Sequence, residues 1–157
     1  MAAGYAAQLL GMGTAAVETL VGLTSHKPVV DPGPAIGERP AVLAAVAEHR
    51  ARLAAARAYL HGCVDRLWRA ADAQQAGPAD IAAVFGAAHH AMAQGRGAVT
   101  AVYALAGASS LYTSSPLERA HRDLHAMAAH IIAQPNYVED TGRVQLGLKP
   151  LNPIYLV

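Results

Sequence analysis

The sequence predicts an all-α protein: an up-down four-helix bundle with an irregular C-terminal tail. Three observations carry that expectation. Hydrophobic residues make up 54% of the 157 residues while aromatics are 5% and charged residues 15%, and alanine supplies the largest share of the apolar content. Alanine is the strongest helix former and lets helices approach closely, whereas strands draw on β-branched and aromatic side chains. Proline and glycine fall in clusters that divide the chain into long segments, and apolar residues recur within those segments at helical spacing. A chain of this length holds one domain with a hydrophobic core of its own, so residues 1–157 read as a single helical domain.

The first helix is expected over residues 2–24. Met1 to Thr24 carries a single charged residue, Glu18, and is therefore weighed against a membrane span or a signal peptide. It lacks a basic start, is built from Ala and Gly more than Leu and Ile, and includes Gln8, Thr14, Glu18 and Thr19. A helix buried against other helices or subunits fits better, with no membrane involved. The loop from His26 to Gly37 holds three prolines and two glycines and is expected to be exposed.

The second helix is expected over 40–75, where Val46, Leu53, Leu60 and Leu67 recur every seven residues and Val42, Val64 and Trp68 widen the stripe. Glu48, Arg50, Arg52, Arg57, Asp65, Arg66 and Arg69 occupy the solvated face. Gly77-Pro78 opens the third helix, 78–107, with Asp80 near its positive end and an apolar series from Ile81 to Leu105. Gly86, Gly95 and Gly97 weaken that helix, each by about 1 kcal/mol relative to alanine, and so mark places of close approach. His89 and His90 point about 100° apart, which places at least one on the surface. The fourth helix, 116–134, has Ser115 as N-cap, Pro116 at its first position and Glu118 completing a capping box, and it stops at Pro135. Residues 135–157 are expected to form an ordered, irregular strap over a neighbouring surface.

The net charge of +1 and the dispersed arginines give no nucleic-acid footprint. The single cysteine, Cys63, rules out an internal disulfide and a cysteine metal cluster, and fits a reducing cytoplasm. Glu118-x-x-His121 and His125 share a helical face, but Glu18 and Glu48 are the only further inward candidates for a di-iron set, so no metal site is expected.

The stretch Gly107-Ala-Ser-Ser-Leu-Tyr-Thr-Ser-Ser-Pro-Leu-Glu-Arg-Ala-His-Arg-Asp-Leu-His-Ala-Met-Ala-Ala-His130 resembles the last helical hairpin of the acyl-CoA dehydrogenase superfamily. It is most similar to the branch of two-component flavin-dependent monooxygenases, which includes aromatic hydroxylases and dibenzothiophene monooxygenase. The ending Gly142-Arg-Val-Gln-Leu-Gly-Leu-Lys-Pro150 is similar to the Leu-Gly-x-x-Pro found there. The resemblance is strongest over residues 103–150. Where dehydrogenases of the superfamily carry Arg-x-x-Phe-Gly, this chain has Ser25-His-Lys-Pro-Val29.

The resemblance implies reduced flavin, FMN or FAD, and molecular oxygen as co-reactants. It places His130 over the reacting edge of the flavin as the catalytic residue, and a histidine exchanges protons near neutral pH. It places Ser109, Ser110, Arg119 and Arg122 at cofactor-binding positions, with a structural ion network of Arg119, Arg122 and Asp123 at a subunit contact as the alternative for the arginines. In desaturating members the catalytic glutamate falls at the position of Ile131, and isoleucine cannot abstract an α-proton. Relatives form the flavin site between this bundle, a β domain and an N-terminal helical domain. The chain is therefore expected to be the C-terminal domain or a split subunit of such an oxidoreductase, incomplete without the flavin-binding part. It would work with a complementary subunit or as a homo-oligomer through its helical faces, and with a flavin reductase. The alternatives are a fragment of an acyl-CoA dehydrogenase-like desaturase and a non-catalytic oligomerisation or docking bundle.

Overall fold

The computed structural model describes residues 1–26 and 34–156, and every described element is helical. In order these are α1 (Ala2–His26), a 3₁₀ turn (Ile36–Glu38), α2 (Pro40–Asp72), α3 (Pro78–Ala106), a 3₁₀ turn (Gly107–Ser110), α4 (Pro116–Ala128), a 3₁₀ turn (Ile131–Ala133), α5 (Pro135–Gln145) and a 3₁₀ turn (Pro153–Tyr155). Most of the expected loop between the first two helices, residues 27–33, lies outside the described residues.

The apolar centre is α3, which packs against α1, α2, α4 and α5. Its Ala87, Ala88, Ala91, Ala98, Val99 and Val102 are all buried, together with Ala6, Leu9, Ala16, Val17 and Leu20 of α1. The two helices cross with almost no space between them. A Cβ on Gly95 would lie 2.6 Å from the Leu9 carbonyl carbon and nearer still to its oxygen, and one on Gly13 would lie 3.1 Å from the Gly95 Cα. The glycine at 95 thus does what its sequence position implied, while Gly97 faces open space and has no such neighbour within this chain. The segment Ala2–Thr24 is long and apolar enough to cross a membrane, with a mean hydropathy of 1.3, but its apolar face is the one built into this core.

On α2 the buried stripe is Val42, His49, Leu53, Ala56, Leu60 and Cys63. Trp68, expected to widen it, is instead 69% exposed. It lies about 100° round the helix from Leu67, which packs on the core, and so has turned out of the seam. The opposite face carries the expected surface pairs, with Arg50 bonded to Glu18 of α1 at 2.8 Å and Arg52 paired with Glu48 one turn earlier. Such exposed pairs contribute less than about 1 kcal/mol each.

The C-terminal third departs from expectation in two ways. The fourth helix ends at Ala128, not Gln134, and the predicted irregular tail contains a fifth helix. Proline accounts for the second, whereas the break after Ala128 falls where His130 turns to extended backbone and its side chain caps the following turn. Pro135 holds Gln134 in extended backbone (φ −74°, ψ 151°), which closes the short turn Ile131–Ala133, and then serves as the first residue of α5. At the start of α4 the Ser115 hydroxyl oxygen accepts from the Leu117 N–H at 3.3 Å. The reciprocal half of the expected capping box is replaced by a pair between Glu118 and Arg122 at 3.3 Å.

The irregular remainder, from Leu146 onward, is fastened to α5 and α3 of its own chain. Tyr155 is fully buried, its ring lies 5.0 Å from Phe85, and its hydroxyl donates to the Tyr137 carbonyl at 2.7 Å. The buried Asp140 carboxylate accepts from the Leu151 and Asn152 N–H groups at 2.7 and 2.8 Å. Asp140→Ala removes both acceptors and is expected to lower stability by about 2 kcal/mol, read as a shift in the urea midpoint, because two backbone donors lose their charged partner.

Candidate functional site

Of the sequence-predicted residues, His130 has the most informative setting. It lies at the break between α4 and the 3₁₀ turn, in extended backbone (φ −67°, ψ 141°), exposed to solvent. Its Nδ1 accepts from the Ile132 backbone N–H at 3.2 Å, so the side chain caps the turn that follows. A nitrogen that accepts an N–H bond presents its lone pair, so the neutral ring carries its proton on Nε2. The second ring nitrogen of this exposed residue is therefore a hydrogen-bond donor in this geometry.

Three elements hold this break in place. Ile132 is buried and anchors the turn to the core. From α1, the Tyr5 ring stacks on the His130 imidazole with centroids 4.6 Å apart and planes 27° from parallel, and its hydroxyl donates to the Met127 carbonyl. From α3, His89 lies beside the Ile132 backbone, and its Nε2 is buried with no hydrogen-bond partner. Sequence reasoning gives neither Tyr5 nor His89 a role here. Tyr5 is 122 residues from Met127, and no local pattern announces a contact of that range.

Burial lowers the pKa of His89 below its ordinary value, with the neighbouring Ile132 backbone working against that shift. The folded chain therefore keeps this ring neutral at pH values where the unfolded chain protonates it. Stability is complete above the unfolded value of about 6.5 and declines as pH falls from there toward the folded value. We expect His89→Asn, which retains an N–H donor but does not titrate, to flatten that part of the stability profile, measured as the urea midpoint between pH 7.5 and 5.

The remaining candidates sit elsewhere. Ser110 is buried, and its single O–H lies within donating distance of both the Gly107 and Tyr103 carbonyls, at 2.7 and 3.0 Å, closing the end of α3. Ser109 beside it is half-buried. The Arg119 side chain is 78% exposed and pairs with Asp123 at 3.6 Å, while that of Arg122 is 67% exposed and pairs with Glu118. The serines and His130 thus lie at opposite ends of α4, whose 13 residues span about 20 Å, with the arginines along the helix between them. His121 stacks on Tyr103 at 4.1 Å and meets His125 edge-on at 4.8 Å. Among the described residues no group of three or more His, Cys, Asp or Glu side chains is arranged to hold a metal.

Apolar side chains border these positions without cover. Ile131 is 64% exposed, Leu111 66% and Tyr112 67%. The chain belongs to the family described as acyl-CoA dehydrogenase, C-terminal domain, whose sequence pattern matches residues 3–135.

Among curated proteins, indole-3-acetate monooxygenase of Pseudomonas putida is 28% identical over 148 residues, and that of Acinetobacter baumannii is 27% identical over 153. In both cases the match covers 94% of this chain and 38% of the relative, so the chain spans less than half the length of these proteins. Solved structures share the fold. The HsaA monooxygenase from M. tuberculosis superimposes with a TM-score of 0.83 at 21% identity, covering 99% of this chain and 39% of its own. XiaF from Streptomyces sp., in complex with FADH2 and glycerol, superimposes with a TM-score of 0.84 at 22% identity, covering 98% and 39%.

Proposed function

We propose that this chain is the C-terminal helical domain, or the corresponding split subunit, of a flavin-dependent monooxygenase that uses reduced flavin and O2, and that His130 is its catalytic residue. The observation that carries the reading is the position of His130: exposed at the α4 break, with Nδ1 engaged by the backbone, which leaves Nε2 as the ring's donor. Family membership and the two indole-3-acetate monooxygenase relatives support it. Helices α1 to α4 form its up-down bundle, with α5 as an addition that ties down the tail, and the free Cys63 suits a reducing cytoplasm.

The residues present fit contact with a flavin held mainly by another domain or subunit. His130 offers a donor, Ile131 an apolar surface, and Ser109 a half-buried hydroxyl, with Arg119 and Arg122 as solvated cations along α4. Reduced FMN or FAD, delivered by a flavin reductase, would supply two electrons, so that one atom of O2 enters the substrate and the other leaves as water. His130 directs a proton at Nε2 toward an oxygen atom, where a fixed donor stabilises developing negative charge. Taking up a substrate proton at Nε2 would first require release of the Ile132 bond and movement of the ring proton. Ile131 leaves no carboxylate at the neighbouring position for desaturation of an acyl thioester.

The test is complementation. The chain is co-expressed with the portion of the Pseudomonas putida relative that it does not match, and assembly is followed by size-exclusion chromatography. The assembled pair is expected to retain reduced flavin and support oxygen-dependent hydroxylation of an aromatic substrate, while the lone chain binds flavin weakly. An assembly that forms without either property, or tight flavin binding by the lone chain, would contradict the proposal.

A further inference from the structure

We infer that Tyr5 is the positioning residue for His130, fixing the direction in which the imidazole faces from the other end of the chain. The inference rests on the reading of His130 as the catalytic residue, but its geometry stands apart from that reading.

Tyr5 acts on His130 in two ways at once. Its ring lies against the imidazole at 4.6 Å, and its hydroxyl donates to the Met127 carbonyl, which also accepts the backbone N–H of His130 itself at 3.1 Å. One carbonyl at the end of α4 therefore joins the phenol to the main chain of the residue whose side chain the phenol supports. Tyr5 is itself held rigidly, because Ala2, Ala6 and Leu9, which flank it on α1, are buried in the core.

The imidazole edge is held from a third direction by the Ile132 N–H on Nδ1. Stacking fixes the plane of the ring, and the Ile132 bond fixes its rotation within that plane. Among the described residues no hydrogen bond engages Nε2. An exposed histidine at a helix end ordinarily samples several rotamers, and each of these contacts removes some of that freedom. A purely space-filling residue at position 5 would need neither an aromatic face toward an exposed ring nor a hydroxyl on an already occupied carbonyl. The phenol is partly withdrawn from water, and burial raises its pKa, so it remains a neutral donor throughout the working pH range.

The experiment reads the His130 ring protons by NMR in the full chain, with exposed His61 as internal reference. In the wild type they are expected upfield of those of His61, under the ring current of Tyr5, with Nε2 protonated and Nδ1 not. Tyr5→Phe should keep the upfield position, because the aromatic face remains. Tyr5→Leu should bring the His130 protons to the His61 position while amide signals of the α1 and α3 core stay in place. His130 ring protons at the His61 position in the wild type would overturn the inference, whether or not the leucine variant folds. So would an upfield shift that survives Tyr5→Leu. In the complemented assembly, Tyr5→Leu is expected to lower kcat about tenfold with KM unchanged, and Tyr5→Phe to restore most of it, since a loosened catalytic group loses rate through misplacement. An inactive wild-type assembly would count against the proposed function, while the NMR result decides the role of Tyr5 by itself.

Discussion

Replacing Gly95 with alanine is expected to destabilise the protein by about 3 kcal/mol or more, at the upper end of what overpacking a core produces. The new Cβ would sit 2.6 Å from the Leu9 carbonyl carbon and 3.1 Å from the Leu10 nitrogen. Both atoms are helix backbone, so relief requires α1 and α3 to move apart, and their interface contains Ala88, Ala91, Val99 and Leu20. Gly11 supplies the contrast, because it lies on the exposed side of α1 with no atom within 4 Å of an added Cβ.

Gly11→Ala is expected to stabilise α1 by up to about 1 kcal/mol, since alanine is the better helix former and nothing in the chain opposes it. Urea unfolding of the two variants should therefore move the midpoint in opposite directions. Equal shifts would show that α1 and α3 do not cross as closely as described.

Replacing His130 with alanine is expected to lower oxygen-dependent hydroxylation in the complemented assembly by about 10² to 10⁴-fold, the range for loss of one positioned proton donor or acceptor. It should also remove the cap on the Ile132 N–H, at a cost of about 1 kcal/mol. His130→Asn separates the two effects, because an asparagine side-chain oxygen can still accept from Ile132 while the imidazole reach to Nε2 is gone. The asparagine variant should be nearly as stable as the wild type and nearly as inactive as the alanine variant. Full activity in either would remove His130 from the catalytic role.

The long helices are legible in the sequence because their signals are local. Gly77-Pro78 and Ser115-Pro116 mark starts that the structure reproduces, and alanine-rich periodic segments fill α1 to α3. Gly95 is legible as a point of close approach because glycine in a helix interior needs a reason. The end of α4 is not, since Pro135 reads first as a stop, although proline also opens helices, and Asn136 to Gln145 then continue α5. The exposure of Trp68 escapes the pattern because a helical stripe can be widened on paper further than the neighbouring helix covers it.

At the site, the motif ending in His130 identifies the residue but not its surroundings. That Nδ1 caps the next turn depends on α4 ending two residues earlier, which no residue pattern before His130 requires. Tyr5 and His89 reach the same break from α1 and α3, and tertiary contacts of that range leave no periodic trace in the sequence. Resemblance puts Ser110 at a cofactor-binding position, yet in this chain its hydroxyl already lies within donating distance of two carbonyls at the end of α3.

Whether this helical domain supplies one wall of a reduced-flavin site is tested most directly by oxygen-dependent hydroxylation. The chain is assembled with the flavin-binding part of a relative, and reduced flavin is supplied by a reductase. The expected result is product formation that needs the chain, the flavin and O2 together, and that His130→Ala removes. A stable assembly that forms no product, or product formation indifferent to His130, would contradict it.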